Sequence, residues 1–340
     1  MAGSVSVWSS LLRASARMIR PGFASKGGAL GRGLKSVTAV VLGDRFFLLF
    51  VVILPFIIIG ALMLYPLGYS LWNSFFERSF FRMHEAHFLG IEHYLYALTS
   101  SRFWSSVRIT SIFTAATTVL SVGFGLWVAL LMNTRVGDRG VRLRGLFRSV
   151  LLIPFILSQA VVGAIVVAYF WNPQTGLITV LVESLGFAAP SWLATGTTAL
   201  WAIIITDAWL GFSLTAVLLE AAIRIVPRSL FDAASIDGAS SWTAFRNITL
   251  PLIIPQLLIV IVLRITGAWR MFDLVFVMTE GGPGRSTQTL SLYIYNTFMS
   301  FGEFGYASAL SWVMIIQLAI ICGAVIMLLG RRGIAYAEDK

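Results

Sequence analysis

The chain has 340 residues, 58% of them hydrophobic and 12% charged, with a mean hydropathy of +0.85, a balance too apolar for a soluble domain of this length. Its net charge of +10 comes from basic residues scattered between apolar segments, not gathered on one surface, which argues against a nucleic-acid partner and for membrane topology. A single cysteine, Cys322, lies in the last apolar stretch, so the chain holds neither a disulfide framework nor a cysteine-based metal site.

Residues 1–45 are basic, with Ser and Gly and almost no acid. They read as a disordered tail held near anionic lipid; the same composition fits an organellar transit peptide less well. Apolar stretches long enough to cross a ~30 Å hydrocarbon core follow near 46–72, 104–132, 147–171, 197–219, 251–277 and 305–330. Six spans make an all-α membrane protein. The first is too long for a signal-peptide core and lacks a clean cleavage site, so it stays as an anchor. The connections on one side hold 18 Lys and Arg residues; those on the other hold only Arg78, Arg82, Arg102 and Arg285. The positive-inside rule places both termini and the 220–250 connection in the cytoplasm. The organisation expected is a tail at 1–45, the first span with an external interfacial segment at 46–103, a five-helix core at 104–335 that includes the 220–250 insert, and a short tail at 336–340. In the interfacial segment, Phe88 to Tyr94 and Arg102-Phe103-Trp104 are expected to put aromatic rings at headgroup level.

Inside the spans, several polar residues need partners. Thr110, Thr114, Thr117 and Ser121 recur at helical spacing and form one hydroxyl stripe, suited either to helix packing or to a solute path. Ser158 and Gln159 beside Pro154 interrupt the third span, and a broken helix can line a cavity. Asp207 sits midway along the fourth span, where an unpaired carboxylate costs ~2.5–3.5 kcal/mol on insertion scales. Arg264 lies at similar depth in the fifth. The two either lock helices together as a buried pair or line a hydrated route.

Between the fourth and fifth spans lies a polar insert, residues 232–251. Phe231, Ala234, Ser235 and Gly238 share one helical face, Asp237-Gly238 breaks that helix, and Ser240 or Ser241 caps a second in which Trp242, Phe245 and Thr249 share a face. Pro251 then marks entry to the next apolar run. Two short helices at an angle make a knob. Three lysines, at 26, 35 and 340, leave no phosphate-binding Gly-rich loop in the chain, so no ATP site is expected. His84, His87 and His93 cluster with Glu85 and Glu92 in the first external loop, but His84-Glu85-Ala86-His87 falls one residue short of a metal-binding helical spacing; a solvated loop is the reading, with no metal.

The spacing Asp232-Ala233-Ala234, three residues, Gly238, nine residues, Ile248, one residue, Leu250-Pro251 resembles the EAA signature of permease subunits in binding-protein-dependent ABC importers. Asp232 stands where the signature opens with Glu. Glu220-Ala221-Ala222 upstream is rejected as a copy because Val226 replaces the turn glycine. The segments Phe272 to Thr279, Glu280-Gly281-Gly282-Pro283-Gly284, Thr289 to Tyr295 and Phe304 to Ser311 are similar to those of the maltose or glycerol-phosphate branch, first-subunit type, and the likeness covers roughly 46–335. Two departures stand out: Gly267 where the pattern has an acid, and Leu157-Ser158 in place of a Pro-rich stretch. The resemblance implies a type I ABC importer transmembrane fold in a bacterial inner membrane. It implies a second related permease subunit, two cytoplasmic ATPase subunits that bind ATP and Mg, and an external solute-binding protein. Asp232, Ala233, Ala234, Asp237, Gly238, Ile248, Leu250 and Pro251 would couple to the ATPase; Thr110, Thr114, Ser158, Gln159, Asp207 and Arg264 are the candidates for the solute path. A stand-alone proton-coupled transporter using Asp207 is the alternative, but it needs no docking knob. A membrane enzyme would have only the external histidines to work with.

Overall fold

A computed structural model describes residues 45–80, 87–133 and 141–338. Two compact units are distinguished, 1–67 and 68–340, and each is taken by itself. The described part of the first unit is the leading arm of helix α1 (Arg45–Asn73), an apolar run interrupted by Pro55 and exposed along its described side chains. The residues 1–44 read above as a tail lie outside the described residues.

The second unit opens on the end of α1. A two-residue pair of strands, β1 (Phe76–Glu77) and β2 (His87–Phe88), runs antiparallel with Phe76 opposite Phe88. Then come α2 (Glu92–Thr99), α3 (Ser101–Asn133), α4 (Val141–Ile156), α5 (Gln159–Tyr169), α6 (Leu177–Ser184) and α7 (Gly196–Ile225). The insert carries α8 (Arg228–Ile236) and α9 (Ser241–Ala244), a π-helical turn follows at Phe245–Thr249, and α10 (Leu250–Trp269), α11 (Asp273–Thr279), α12 (Leu290–Met299) and α13 (Phe304–Glu338) complete the chain. Among the described residues five helices are long and apolar enough to cross a membrane, and the pair Arg148–Ile156 and Gln159–Tyr169, bent by 96°, makes a sixth if counted as one span. The break falls at Leu157-Ser158, where the sequence placed it.

Helix α7 is the axis of the bundle. Its most apolar window is 67% buried, whereas that of α13 is not buried at all; α13 is buried near its start, at Tyr306 to Leu310. Ile203, Ile204 and Leu210 of α7 pack with Phe113 of α3, Val162 and Val166 of α5, and Leu274 and Val275 of α11. Toward the insert, Leu219, Ala222, Ile223 and Val226 form a second cluster with Ala129 of α3 and Ile253 and Val260 of α10. A third, at the opposite end, gathers Ala97, Phe103, Leu290, Tyr293, Tyr306 and Leu310. Phe103 is therefore a core residue and not a headgroup-level ring: with Phe103 and Trp104 adjacent on one helix, only one can face outward. Trp104 does, with its indole N–H donating to the Leu98 carbonyl at 2.7 Å.

Two boundaries differ from the sequence reading. Helix α10 does begin beside Pro251, which lies in its first turn, but the span continues back through the π-helical turn and α9, so one run extends from Ser241 to Trp269. A proline inside a helix removes one backbone donor and crowds the preceding turn, but here it directly follows the π-helical turn, whose wider ring changes the hydrogen-bond register. At its other end the fifth span stops at Trp269, not 277: Met271 N–H bonds back to Ala268, and Asp273 opens α11 as an acid in a first helical turn.

Candidate functional site

The insert is positioned by its two neighbours. Pro227 is the N-cap of α8, and the chain leaves α7 there in extended conformation. The helix ends at Asp237, and Gly238 follows at φ 71°, a left-handed backbone that glycine takes without a Cβ penalty. Of the two candidate caps, Ser240 serves: its hydroxyl accepts from Thr243 N–H at 3.2 Å. Leu230, Phe231 and Ile248 pack against the cluster made by Leu219, Ile223 and Ile253, so the insert is seated on the bundle by three apolar anchors. No residue of α8 is buried, and Ile236 is 87% exposed and Trp242 68% exposed. The second helix expected in the knob is instead the first turns of the fifth span. The knob is one short helix joined through the turn at Gly238 to the start of a long one.

Asp232, Ala233, Ala234 and Asp237 sit on α8. Gly238 makes its turn, Ile248 belongs to the π-helical turn, and Leu250 and Pro251 begin α10. The structure brings these residues to one end of the bundle.

A second constellation lies within the spans. Asp207 of α7 is fully buried, and its Oδ2 accepts from Arg264 Nη2 of α10 at 2.6 Å. Thr117 of α3 also donates to that oxygen. Arg264 continues to Ser121 through Nε at 2.9 Å and to Thr117 through Nη2 at 3.1 Å. One carboxylate, one guanidinium and two hydroxyls thus join three helices, and the cluster is neutral. Gly211, one turn after Asp207, makes room for it: a Cβ there would stand 2.3 Å from the guanidinium carbon. Asp207 Oδ1 has no hydrogen-bond partner among the described residues, and the Arg264 side chain keeps 15% exposure. The cluster is closed on one side and open on the other.

The hydroxyl stripe divides. Thr117 and Ser121 hold the charges. Thr110, two turns before Thr117, donates to the Ser106 carbonyl and accepts from Leu290 N–H, both at 2.8 Å, so it ties α3 to the start of α12. Thr114 lines a cavity of about 350 Å³ with Thr118, Ile265, Trp269 and Ile321. Ser158 caps α5 through its backbone carbonyl, which accepts from Val162 N–H at 2.9 Å, and Gln159 opens that helix. Gly267 has open space around its missing Cβ. His84 and Glu85 lie outside the described residues; His93 bonds the Phe76 carbonyl at 3.1 Å.

A buried carboxylate was passed over. Glu220, dismissed above as a false copy of the signature, is fully buried; Arg148 of α4 pairs with it, and Arg224 stands 2.5 Å away on the same helix. The i, i+4 spacing of Glu220 and Arg224 was the available signal.

Comparison with known proteins places these features in a family. Residues 121–332 match the family described as binding-protein-dependent transport system inner membrane component. The chain is 33% identical to the trehalose/maltose transport system permease protein MalF of Thermococcus litoralis over 80% of this chain and 91% of that one. It is also 33% identical to the sulfoquinovosyl glycerol transport system permease protein SmoG of Agrobacterium fabrum, over 80% and 87%. The probable ABC transporter permease protein y4oQ of Sinorhizobium fredii matches at 33% over 81% and 86%. In fold it is similar to a chain of the bacterial alginate ABC transporter crystallised with its alginate pentasaccharide-bound periplasmic protein, with a TM-score of 0.69 at 20% identity over 85% of this chain and 96% of that one. A lone proton-coupled carrier is not favoured by these matches. The apolar spans, the seated insert and the match over 121–332 together make this chain a member of the binding-protein-dependent transport system inner membrane component family, and so a permease subunit of an ABC importer.

Proposed function

We propose that this chain forms one half of the pore for a carbohydrate or carbohydrate-like solute, moved inward by ATP hydrolysed on partner subunits. The observation that carries this reading is the insert. The insert, whose amphipathic helix α8 has no buried residue and which is seated by Leu230, Phe231 and Ile248 while showing Ile236 and Trp242 to the outside, is a surface built to meet another protein. The absence of a phosphate-binding loop from the sequence supports placing ATP and Mg on two ATPase subunits docked there, with a second related permease and an external solute-binding protein completing the assembly. The solute class is supported by the relatives, whose names specify trehalose/maltose, sulfoquinovosyl glycerol and arabinooligosaccharides. The asymmetry of basic residues puts the insert and both termini in the cytoplasm of a bacterium. On the solute route, Arg264 is the member of the buried cluster with an exposed edge, and it offers hydrogen-bond donors to hydroxyls; Asp207 holds it in place.

Gly238→Pro and Asp232→Lys test the docking surface. Both are expected to abolish recovery of the ATPase with a tagged chain, and to abolish uptake, while membrane insertion stays normal. Unchanged recovery and uptake in both would sink the reading. Orientation is checked in a Cys322→Ser background: cysteines at Ser229 and Thr175 should react from opposite faces, Ser229 from the cytoplasm. The solute is identified by the ligand that co-purifies with the binding protein, and a ligand without sugar-like hydroxyls overturns the carbohydrate assignment.

A further inference from the structure

Glu220 lies in the last turns of α7, and its side chain is fully buried between two cations that differ in kind. Arg224 is on the same helix, one turn away, with Nε 2.5 Å from Oε1; it moves wherever Glu220 moves. Arg148 reaches Oε2 from α4, a separate helix. A buried carboxylate that loses its only partner is strongly destabilised. Glu220 escapes that constraint: with Arg224 always at hand, its contact with Arg148 can open without leaving the charge alone. Both guanidiniums are more than one third exposed, 35% for Arg148 and 41% for Arg224, so a released Arg148 is already partly solvated and does not become a buried charge. A static brace would need no second cation.

The position of each partner gives this contact a use. Arg148 lies midway along α4 (Val141–Ile156), the arm of the third span that ends at the 96° bend. Glu220 sits on the turns of α7 whose Leu219, Ala222, Ile223 and Val226 hold the insert's Leu230 and Phe231. Any displacement of α8 is therefore delivered to the helix end that carries Glu220, and from there to the arm of the broken span.

We propose that Arg148 and Glu220 are positioning residues forming a releasable latch between the insert and the bent third span, with Arg224 as the standing partner that keeps Glu220 neutralised when the latch opens. The proposal rests on the reading of the insert as the ATPase contact. It adds a route by which that contact reaches the pore.

The test uses the assembled transporter in liposomes. With Arg148→Gln, ATPase recovery is unchanged, ATP hydrolysis persists, and solute moved per ATP falls at least about fivefold; Arg148→Lys, which keeps the charge, recovers most of it. Equal losses of hydrolysis and uptake, or no loss in either, overturn the latch. A second measurement needs no ATPase: spin labels at Val150→Cys and Ile225→Cys, in the Cys322→Ser background, read the distance between the arm and the end of α7 in lipid nanodiscs. Arg148→Gln broadens that distribution and Arg224→Gln does not. An unchanged distribution in Arg148→Gln overturns the latch whatever the ATPase does, whereas failure of the unsubstituted chain to recover an ATPase would count against the docking reading alone.

Discussion

Helix α7 carries two fully buried carboxylates thirteen residues apart, or ~20 Å along the helix, and they are neutralised in opposite ways. Asp207 meets one guanidinium and a hydroxyl, in a neutral cluster whose cation is almost enclosed. Glu220 meets two guanidiniums, both reaching solvent, so that two cations share one carboxylate. The contrast follows depth. Inside a span an uncompensated charge of either sign is costly, so charges are matched one to one and hydroxyls supply the remaining hydrogen bonds. At the end of the helix water can solvate an extra cation, and redundancy becomes affordable. Asp207 is thus committed to its partner and Glu220 is not.

The sharpest way to break this contrast is to remove one partner at each site. Asp207→Asn or Arg264→Gln should destabilise the chain by ~3–5 kcal/mol, because the remaining charge is stranded, and the double substitution should recover much of the loss. Thermal unfolding in detergent, with membrane yield, makes the double-mutant cycle; simple additivity would show that the two charges are independent. Recovery of yield without uptake would put the pair on the solute path, and recovery of both would make it a packing device.

Gly211→Ala comes next. Its methyl would occupy the place of the Arg264 guanidinium, at an overpacking cost of about 1–3 kcal/mol, and pairing it with Arg264→Gln should relieve most of that cost. A loss that persists in the pair would assign the glycine to helix packing. Thr117→Val removes a hydroxyl that serves both charges at once, and about 1 kcal/mol of stability should go with it. At the other carboxylate, Arg224→Gln should cost less than about 1 kcal/mol, since Arg148 remains and the removed side chain is largely solvated. An Arg224→Gln effect as large as that of Arg264→Gln would erase the distinction between the two sites.

How much of this could be read in the sequence depended on the range of the interaction. The spans are local properties of apolar runs, and the break at Leu157-Ser158 announced itself through Pro154 and the polar residues beside it. The turn at Gly238 needed only its own backbone. Pro251 does stand in the first turn of α10; that the span continues back to Ser241 was not legible, because a π-helical turn has no sequence signature of its own. Asp207 and Arg264 were legible as charges that needed partners. The division of the hydroxyl stripe was not legible, since Thr110, Thr114 and Thr117 share one helix face and only the neighbouring helices decide what each one meets. Glu220 was the clearest miss: once the motif comparison had dismissed it, its burial could be known only from the packing of α4 against α7.

The bend in the third span has an energetic consequence. Helices α4 and α5, of 16 and 11 residues, are each shorter than the ~20 residues that a crossing helix needs, and their junction interrupts the ladder of backbone hydrogen bonds, leaving carbonyls at the end of α4 and amides at the start of α5 without helical partners. Acyl chains cannot satisfy them, and each orphan costs several kcal/mol in hydrocarbon. Phe155, Ile156 and Leu157 around the junction are exposed in the single chain. The bend therefore sets a short run of unpaired backbone within an otherwise apolar span, and the cost of burying it in hydrocarbon falls only where protein or water meets it.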